Sequence, residues 1–298
     1  MTDAELFPGF ISARFETASA SIAYVVGGSG APLLLLHGYP QTRATWHRIA
    51  GEMARTHTVV APDLRGYGES SAKSPEPVAS FAKSEMAKDQ VELMRFLGFD
   101  RFAVAGHDRG GRVAYRLAMN NPDAVSALVS LTVIPTVEVW DRADSAFGMA
   151  AWHWYMLAQP FDLPERLIGA DPDAFVGYVL DRMAGGSERL HASALSAYIA
   201  AFRDPHVRHA MCQDYRAAAT IDAEEDARDR DEGRHVQCST LVLWDSARHF
   251  AEGENPLDIW RRWSVEASGH GLEGGHLLPE LGSEGVISAL RDFLPLHG

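Results

Sequence analysis

The sequence predicts an α/β fold in which a mostly parallel central sheet, with helices on both faces, is interrupted by an inserted helical cap. Two observations lead to this reading. Short apolar runs alternate with longer amphipathic ones through the first half of the chain, the pattern of successive βαβ units. That alternation stops at Val137, gives way to helical sequence rich in Trp, Tyr, Met and Pro as far as Ile221, and resumes at "STLVLWDSA". The implied division is a core of residues 1–136 and 223–298 around a cap of residues 137–222.

The elements follow in order. Phe10 to Glu16 and Ser21 to Val26 alternate in polarity and read as antiparallel strands. "PLLLLHGYP", "HTVVAPDLRGYGES" and "RFAVAGHD" are apolar runs of the length and composition of strands buried on both faces, each ending in a turn or loop. Phe81 to Leu97 carries Met86, Val91, Leu93 and Met94 at helical spacing, and a second helix runs from Arg109 to Met119. "VSALVSLTVIPT" is the next strand. After the cap come the "STLVLWDSA" strand, the "NPLDIWRRW" helix, a short strand near Ser264 to Ser268 and a last helix over Glu284 to Leu294. The run "IDAEEDARDRDEGR" reads as a solvated linker helix.

Composition narrows the functional classes. With 298 residues, 46% hydrophobic and 22% charged, the chain can bury a large core. A formal charge of −13 repels nucleic acid and anionic membrane surfaces, so neither is an expected partner. An anionic small molecule would need a local positive pocket built against that field, which draws attention to Arg109 and Arg112. Cys212 and Cys238 are too few for a disulfide framework or a zinc site, and "MTDAELFPGF" lacks the pattern of a signal peptide, so a cytoplasmic location is expected. No metal cluster, phosphate loop or dinucleotide fingerprint appears, and no cofactor is expected.

The chemistry concentrates in "GHDRGGR". Gly106-His107-Asp108-Arg109-Gly110 has the Gly-x-nucleophile-x-Gly spacing of a sharp strand-to-helix turn that thrusts one side chain out at the carboxyl edge of the sheet. A plainer role for Asp108 is to cap the helix beginning at Arg109. "HGYP" places Tyr39 where one oxyanion-hole amide belongs, with the Arg109 amide as the second, and "LEGGHLLPE" puts His276 in a glycine-rich loop between the last strand and the last helix. A carboxylate nucleophile is already ionised near neutral pH, and its attack on an sp³ carbon gives an alkyl ester that a base such as His276 would help water to cleave. Arg109 and Arg112, one and four residues beyond the nucleophile, could clamp a small carboxylic acid.

With "HDRGGR", "WHWY" over Trp152 to Tyr155, "DYRA" over Asp214 to Ala217 and "GGH" over Gly274 to His276, nearly the whole chain resembles the fluoroacetate dehalogenases, haloacetate-hydrolysing members of the α/β-hydrolase superfamily. The resemblance implies that fold, Asp108 as nucleophile, His276 as base, Arg109 and Arg112 as carboxylate clamp, and His153, Trp154 and Tyr215 as halide pocket. A short 2-haloacid would be the substrate, and a homodimer the assembly. It also implies an aspartate orienting the histidine in an Asp-x-x-Pro-Thr pattern, where this chain has Thr132-Val133-Ile134-Pro135-Thr136. Either Asp245 takes over, although such acids usually lie a few residues later, near Arg248, or ester hydrolysis is slow. Two alternatives stand beside this reading: an epoxide hydrolase using the same aspartate, and a protein that binds small carboxylates with impaired turnover.

Overall fold

The computed structural model describes residues 3–247 and 254–294; Arg248 lies outside them. Nine strands form one sheet: β1 (Ile11–Glu16), β2 (Ala20–Gly28), β3 (Ala31–Leu36), β4 (His57–Pro62), β5 (Ser71–Ala72), β6 (Phe102–His107), β7 (Val125–Leu131), β8 (Ser239–Asp245) and β9 (Ala267–Leu272). Their order is β1-β2-β4-β3-β6-β7-β8-β9, with β5 paired to β2. β2 pairs antiparallel with β1, β4 and β5, and every pairing from β4 through β3 to β9 is parallel. The last strand is longer and later than the Ser264 to Ser268 segment expected from sequence; Ser264 makes only an isolated bridge to Val236. Glycines at 269 and 271 obscured this edge strand, because they break its apolar alternation.

β3 shows why the sheet sits at the centre. Leu33 to Leu36 are completely buried, as expected for a strand covered on both faces, and each such leucine contributes about 1.5–3 kcal/mol of transfer free energy. The helices Lys83–Phe96 and Arg109–Asn120 pack against one another beside β6.

Eight α-helices, from Thr136–Asp141 to Ile221–Asp231, fill the chain between β7 and β8. The last of them corrects the solvated-linker reading of the acidic run. Asp222, Asp226 and Asp229 recur at helical spacing and are buried, pairing with Lys83 and, for the last two, with Arg116. The polar face that looked solvated is an ion-paired seam against the sheet-flanking helices.

Candidate active site

Because β3, β6, β7, β8 and β9 are parallel neighbours, their carboxyl ends lie along one edge and deliver Tyr39, Asp108, Thr132, Asp245 and the His276 loop to the same region. The turn after β6 is sharp enough to hold Asp108 at φ 49° and ψ −115°, a strained backbone for a residue bearing a Cβ. Two glycines make it possible. A Cβ on Gly110 would come within 2.3 Å of the Leu36 carbonyl, and one on Gly38 within 2.5 Å of the Asp108 Cβ. Although Asp108 precedes the helix Arg109–Asn120, its side chain makes no capping hydrogen bond, so the plainer capping role is not what the carboxylate does.

Instead the Asp108 carboxylate accepts the Tyr39 N–H at 2.9 Å on Oδ1, while His276 Nε2 stands 3.6 Å from Oδ2. Burial alone would raise its pKa, but His276 above all, with His107 and Arg109, holds it well below the usual carboxylate range. Asp108 is therefore an anion, only 6% exposed, at the wall of a cavity of about 610 Å³. The "HGYP" loop is fixed by His37, whose Nε2 accepts the Leu64 N–H at 2.9 Å and whose Nδ1 donates to the Gly38 carbonyl at 3.0 Å. Arg109, whose amide was expected as the second oxyanion donor, opens the helix.

The two arginines differ in their surroundings. Arg109 is fully buried and committed to Asp214, donating through Nε and Nη2 to its carboxylate and backbone carbonyl; Lys83 and the Tyr67 hydroxyl meet the same carboxylate. Only its Nη1 is left without a hydrogen-bond partner. Arg112, 2% exposed, lines the cavity and donates from Nη1 to the Ile134 carbonyl and the Thr136 hydroxyl at 3.1 and 3.0 Å. Among the described residues, it is the buried cation with no carboxylate within 4.0 Å. The Trp154 ring centroid lies 4.7 Å from its guanidinium carbon, and the charges of Asp108 and Asp226 favour the cation from farther off. Burial, and secondarily the charge of Arg109, lower its pKa.

His153 and Trp154 line the cavity with Asp108. The Tyr39 ring stacks on His153 at 5.6 Å, and Tyr215 meets Tyr39, His153 and Trp154 edge-on between 5.1 and 5.8 Å. The hydroxyls of Tyr39 and Tyr215 are buried donors without acceptors. Burial lowers His153 to a pKa of about 4, so its ring is neutral at physiological pH. Trp154 also spans the arginines, with Arg109 5.6 Å from its ring centroid.

Asp245 does not meet His276. It pairs in register with Leu272, its Oδ1 accepts the Ala247 N–H at 3.2 Å, and the carboxylate found within 4.0 Å of His276 among the described residues is Asp108. The expectation that Asp245 takes over as the orienting acid is not met in this geometry, because the carboxylate turns back on its own loop. Thr132 ends β7 at φ 62°, with its N–H donating to the Leu243 carbonyl at 2.8 Å, and lines the cavity with His276. What holds the histidine loop is His107, whose Nε2–H donates to the His276 carbonyl at 2.8 Å. Burial drops His107 to a pKa of about 3, so that ring is neutral. Sequence reasoning missed His107 and Asp214, although both lay inside motifs it used.

A model of the α/β-hydrolase fold matches residues 31–244. The chain is a member of the α/β-hydrolase family. Within that family this α/β-hydrolase is 42% identical to a fluoroacetate dehalogenase of a Burkholderia species, over 97% of this chain and 95% of that protein. It is 31% identical to a soluble epoxide hydrolase of Corynebacterium sp. strain C12, over 92% and 94% of the two chains. Among solved structures, a Pseudomonas aeruginosa protein provisionally described as an epoxide hydrolase superposes with a TM-score of 0.94 at 52% identity, covering 97% of this chain and 96% of that one. A single-substitution variant of that protein is described with bound MFA. No helix among the described residues is long and apolar enough to cross a membrane, and no group of three or more His, Cys, Asp or Glu among them is placed to hold a metal ion.

Proposed function

We propose that this α/β-hydrolase is a hydrolytic dehalogenase of short 2-haloacids, converting a haloacetate such as fluoroacetate to glycolate and halide through an ester on Asp108. The observation that carries the reading is Arg112: a buried guanidinium with no carboxylate partner among the described residues, facing the same cavity as an ionised nucleophile. A desolvated charge is costly unless paired, and an incoming carboxylate supplies the pair. Arg109 adds its one uncommitted Nη1, its charge being already balanced by Asp214.

With the acid held there, an Asp108 oxygen displaces the halide at the adjacent carbon; the C–O bond forms as the carbon–halogen bond breaks, and the halide leaves with the electron pair. The neutral His153 ring, the Trp154 indole and the orphaned Tyr215 hydroxyl offer N–H and O–H groups to the departing ion, and the Tyr39 hydroxyl adds another. His276 then takes a proton from water, the hydroxide attacks the Asp108 carbonyl carbon against the Tyr39 amide, and as the acyl–oxygen bond breaks the imidazolium returns its proton to the departing alkoxide, freeing glycolate; the Asp108 carboxyl loses its own proton to solvent. The helices between β7 and β8 form the cap that closes the cavity from above.

Isotopic water distinguishes this route from direct attack of water on the substrate. In a single turnover in ¹⁸O-water the label enters the Asp108 carboxylate and the glycolate hydroxyl stays unlabelled; label in the product alone overturns the mechanism. The relatives described as epoxide hydrolases support a second reading with the same nucleophile. Steady release of halide from haloacetates, with no diol formed from neutral epoxides, decides for the first.

A further inference from the structure

Buried carboxyl groups in this protein come with basic partners. Asp63 has Arg43, Asp89 has Arg65, Glu138 has Arg142, Asp214 has Arg109 and Lys83, Asp222 has Lys83, Asp226 and Asp229 have Arg116, and Asp108 has His276. Among the described residues, Glu280 is the exception: it is 3% exposed, with no basic side chain within 4.0 Å. Its Oε1 accepts the Gln41 side-chain N–H at 2.6 Å and the Tyr198 hydroxyl at 2.7 Å, and its Oε2 has no partner.

Each contact leads to a different part of the site. Gln41 follows "HGYP", and its backbone N–H donates to the Gly38 carbonyl at 2.9 Å, closing the turn that aims the Tyr39 amide at Asp108. Tyr198 belongs to the helix Ala192–Phe202 of the insertion. Glu280 itself sits in the one-turn helix Leu278–Leu281, which begins two residues after His276. One carboxyl oxygen thus ties together the oxyanion turn, the histidine turn and the insertion.

We propose that Glu280 is a positioning residue for the hydrolytic half of the reaction, holding the Tyr39 amide and the His276 imidazole in mutual register across the Asp108 ester. The inference rests on the dehalogenase reading above. Alkylation needs only an ionised carboxylate and a held substrate, whereas ester cleavage needs base, water and oxyanion donor aligned at once, so a slackened tie slows the second step selectively. Among the described residues no carboxylate other than Asp108 lies within 4.0 Å of His276, so its alignment falls to the contacts of its loop.

Burial pushes the Glu280 carboxyl up to about 7, which suits an acceptor that has no cation beside it. The groups acting on it are Tyr198 from the insertion, Gln41 from the segment after β3 and, by charge, Arg48 from the helix His47–Met53, which packs against its turn and also carries His47. Burial holds His47 neutral, at about 4, and Arg48 acts only at a distance. On the same packed elements, Arg43 is committed to Asp63, Asp3 and Glu69, and Glu52 and Arg291 pair with each other.

Quenched single turnovers with bromoacetate, followed by mass measurement of the Asp108 peptide, test this directly. In Glu280→Leu the ester should form within about threefold of the wild-type rate and decay about tenfold or more slowly. Glu280→Gln keeps an acceptor oxygen for both donors, and its decay should return to within about threefold of wild type. Equal decay in Glu280→Leu and wild type overturns the proposal, as does equal slowing of formation and decay, or failure of Glu280→Gln to rescue. If Glu280→Leu does not fold, Tyr198→Phe and Gln41→Leu each remove one donor; unchanged decay in both overturns it equally. Absence of any ester in the wild type instead overturns the parent reading, and this one with it.

Discussion

Replacing Arg112 with methionine should make the protein less active without the stability loss that truncating a buried arginine ordinarily brings. Removing one member of a buried ion pair typically costs about 3–5 kcal/mol, because the other charge is left uncompensated. Arg112 has no such partner among the described residues, so its removal strands the Ile134 carbonyl, at a cost of about 1 kcal/mol, leaves the Thr136 hydroxyl its contact with Tyr115, and relieves the desolvation of the cation. The two effects oppose one another, and the melting temperature should stay within about 4 °C of wild type. Arg116→Met, which takes from buried Asp226 its cation and leaves Asp229 only Arg234, is the internal control and should lose about 3 kcal/mol. For activity, a guanidinium about 4 Å from the substrate carboxylate at an effective dielectric of about 20 is worth about 4 kcal/mol, so kcat/KM should fall by about 10²–10³. Scanning calorimetry and halide release at varied haloacetate concentration measure both quantities. If Arg112→Met melts as early as Arg116→Met, or keeps kcat/KM within about threefold of wild type, the unpaired cation is not the substrate anchor.

Three other substitutions or conditions follow from the same geometry. Asp245→Asn should leave ester decay within about twofold of wild type, since that carboxylate turns to the Ala247 amide rather than to His276; a larger loss, read by quenched mass measurement, would reinstate it as the orienting acid. The first, alkylating step should be flat from pH 8 down to about pH 5 in single-turnover assays, because Asp108 stays ionised until pH falls through its depressed pKa; an acid limb near the ordinary carboxylate value would show that His276 does not stabilise the anion. Glu280 acts on stability in the opposite sense. Below about pH 4.5 both the folded and unfolded chains keep its proton; between about 4.5 and 7 only the unfolded chain gives it up, so stability falls until the folded carboxyl also ionises near 7. Glu280→Gln should therefore match wild type near pH 4.5 and exceed it by up to about 3 kcal/mol at pH 8 in denaturant titrations.

Much of the fold was legible because buried parallel strands write themselves as apolar runs. Leu33 to Leu36 and Phe102 to His107 could hardly be anything else, and the nucleophile turn announced itself through glycines that have a steric reason to be there. The edge strand Ala267–Leu272 was less visible, being half exposed and interrupted by glycine. The acidic helix Ile221–Asp231 was misread because charge in a sequence does not say whether its partner is water or a distant arginine; Arg116 lies more than a hundred positions away. The same blindness hid the difference between the two arginines. Arg109 and Arg112 look equivalent one turn apart, and only the three-dimensional position of Asp214 shows that one is neutralised and the other is not.

That asymmetry bears on the missing triad acid. A protein with net charge −13 that keeps on its nucleophile's cavity a buried guanidinium with no carboxylate within 4.0 Å among the described residues favours anionic substrates in the proposed first step. The second step has no comparable device: Thr132 stands at the end of β7 in a left-handed conformation, φ 62°, that threonine tolerates poorly and aspartate better. Thr132→Asp should therefore cost little stability while giving the His276 loop a carboxylate on the β7 side. If orientation of the imidazole limits turnover, ester decay should accelerate by about tenfold or more with alkylation unchanged. If instead the His107 contact and the Glu280 tie already align the base, the substitution should leave decay where it was, and that outcome would place the histidine's support in its backbone rather than at its ring.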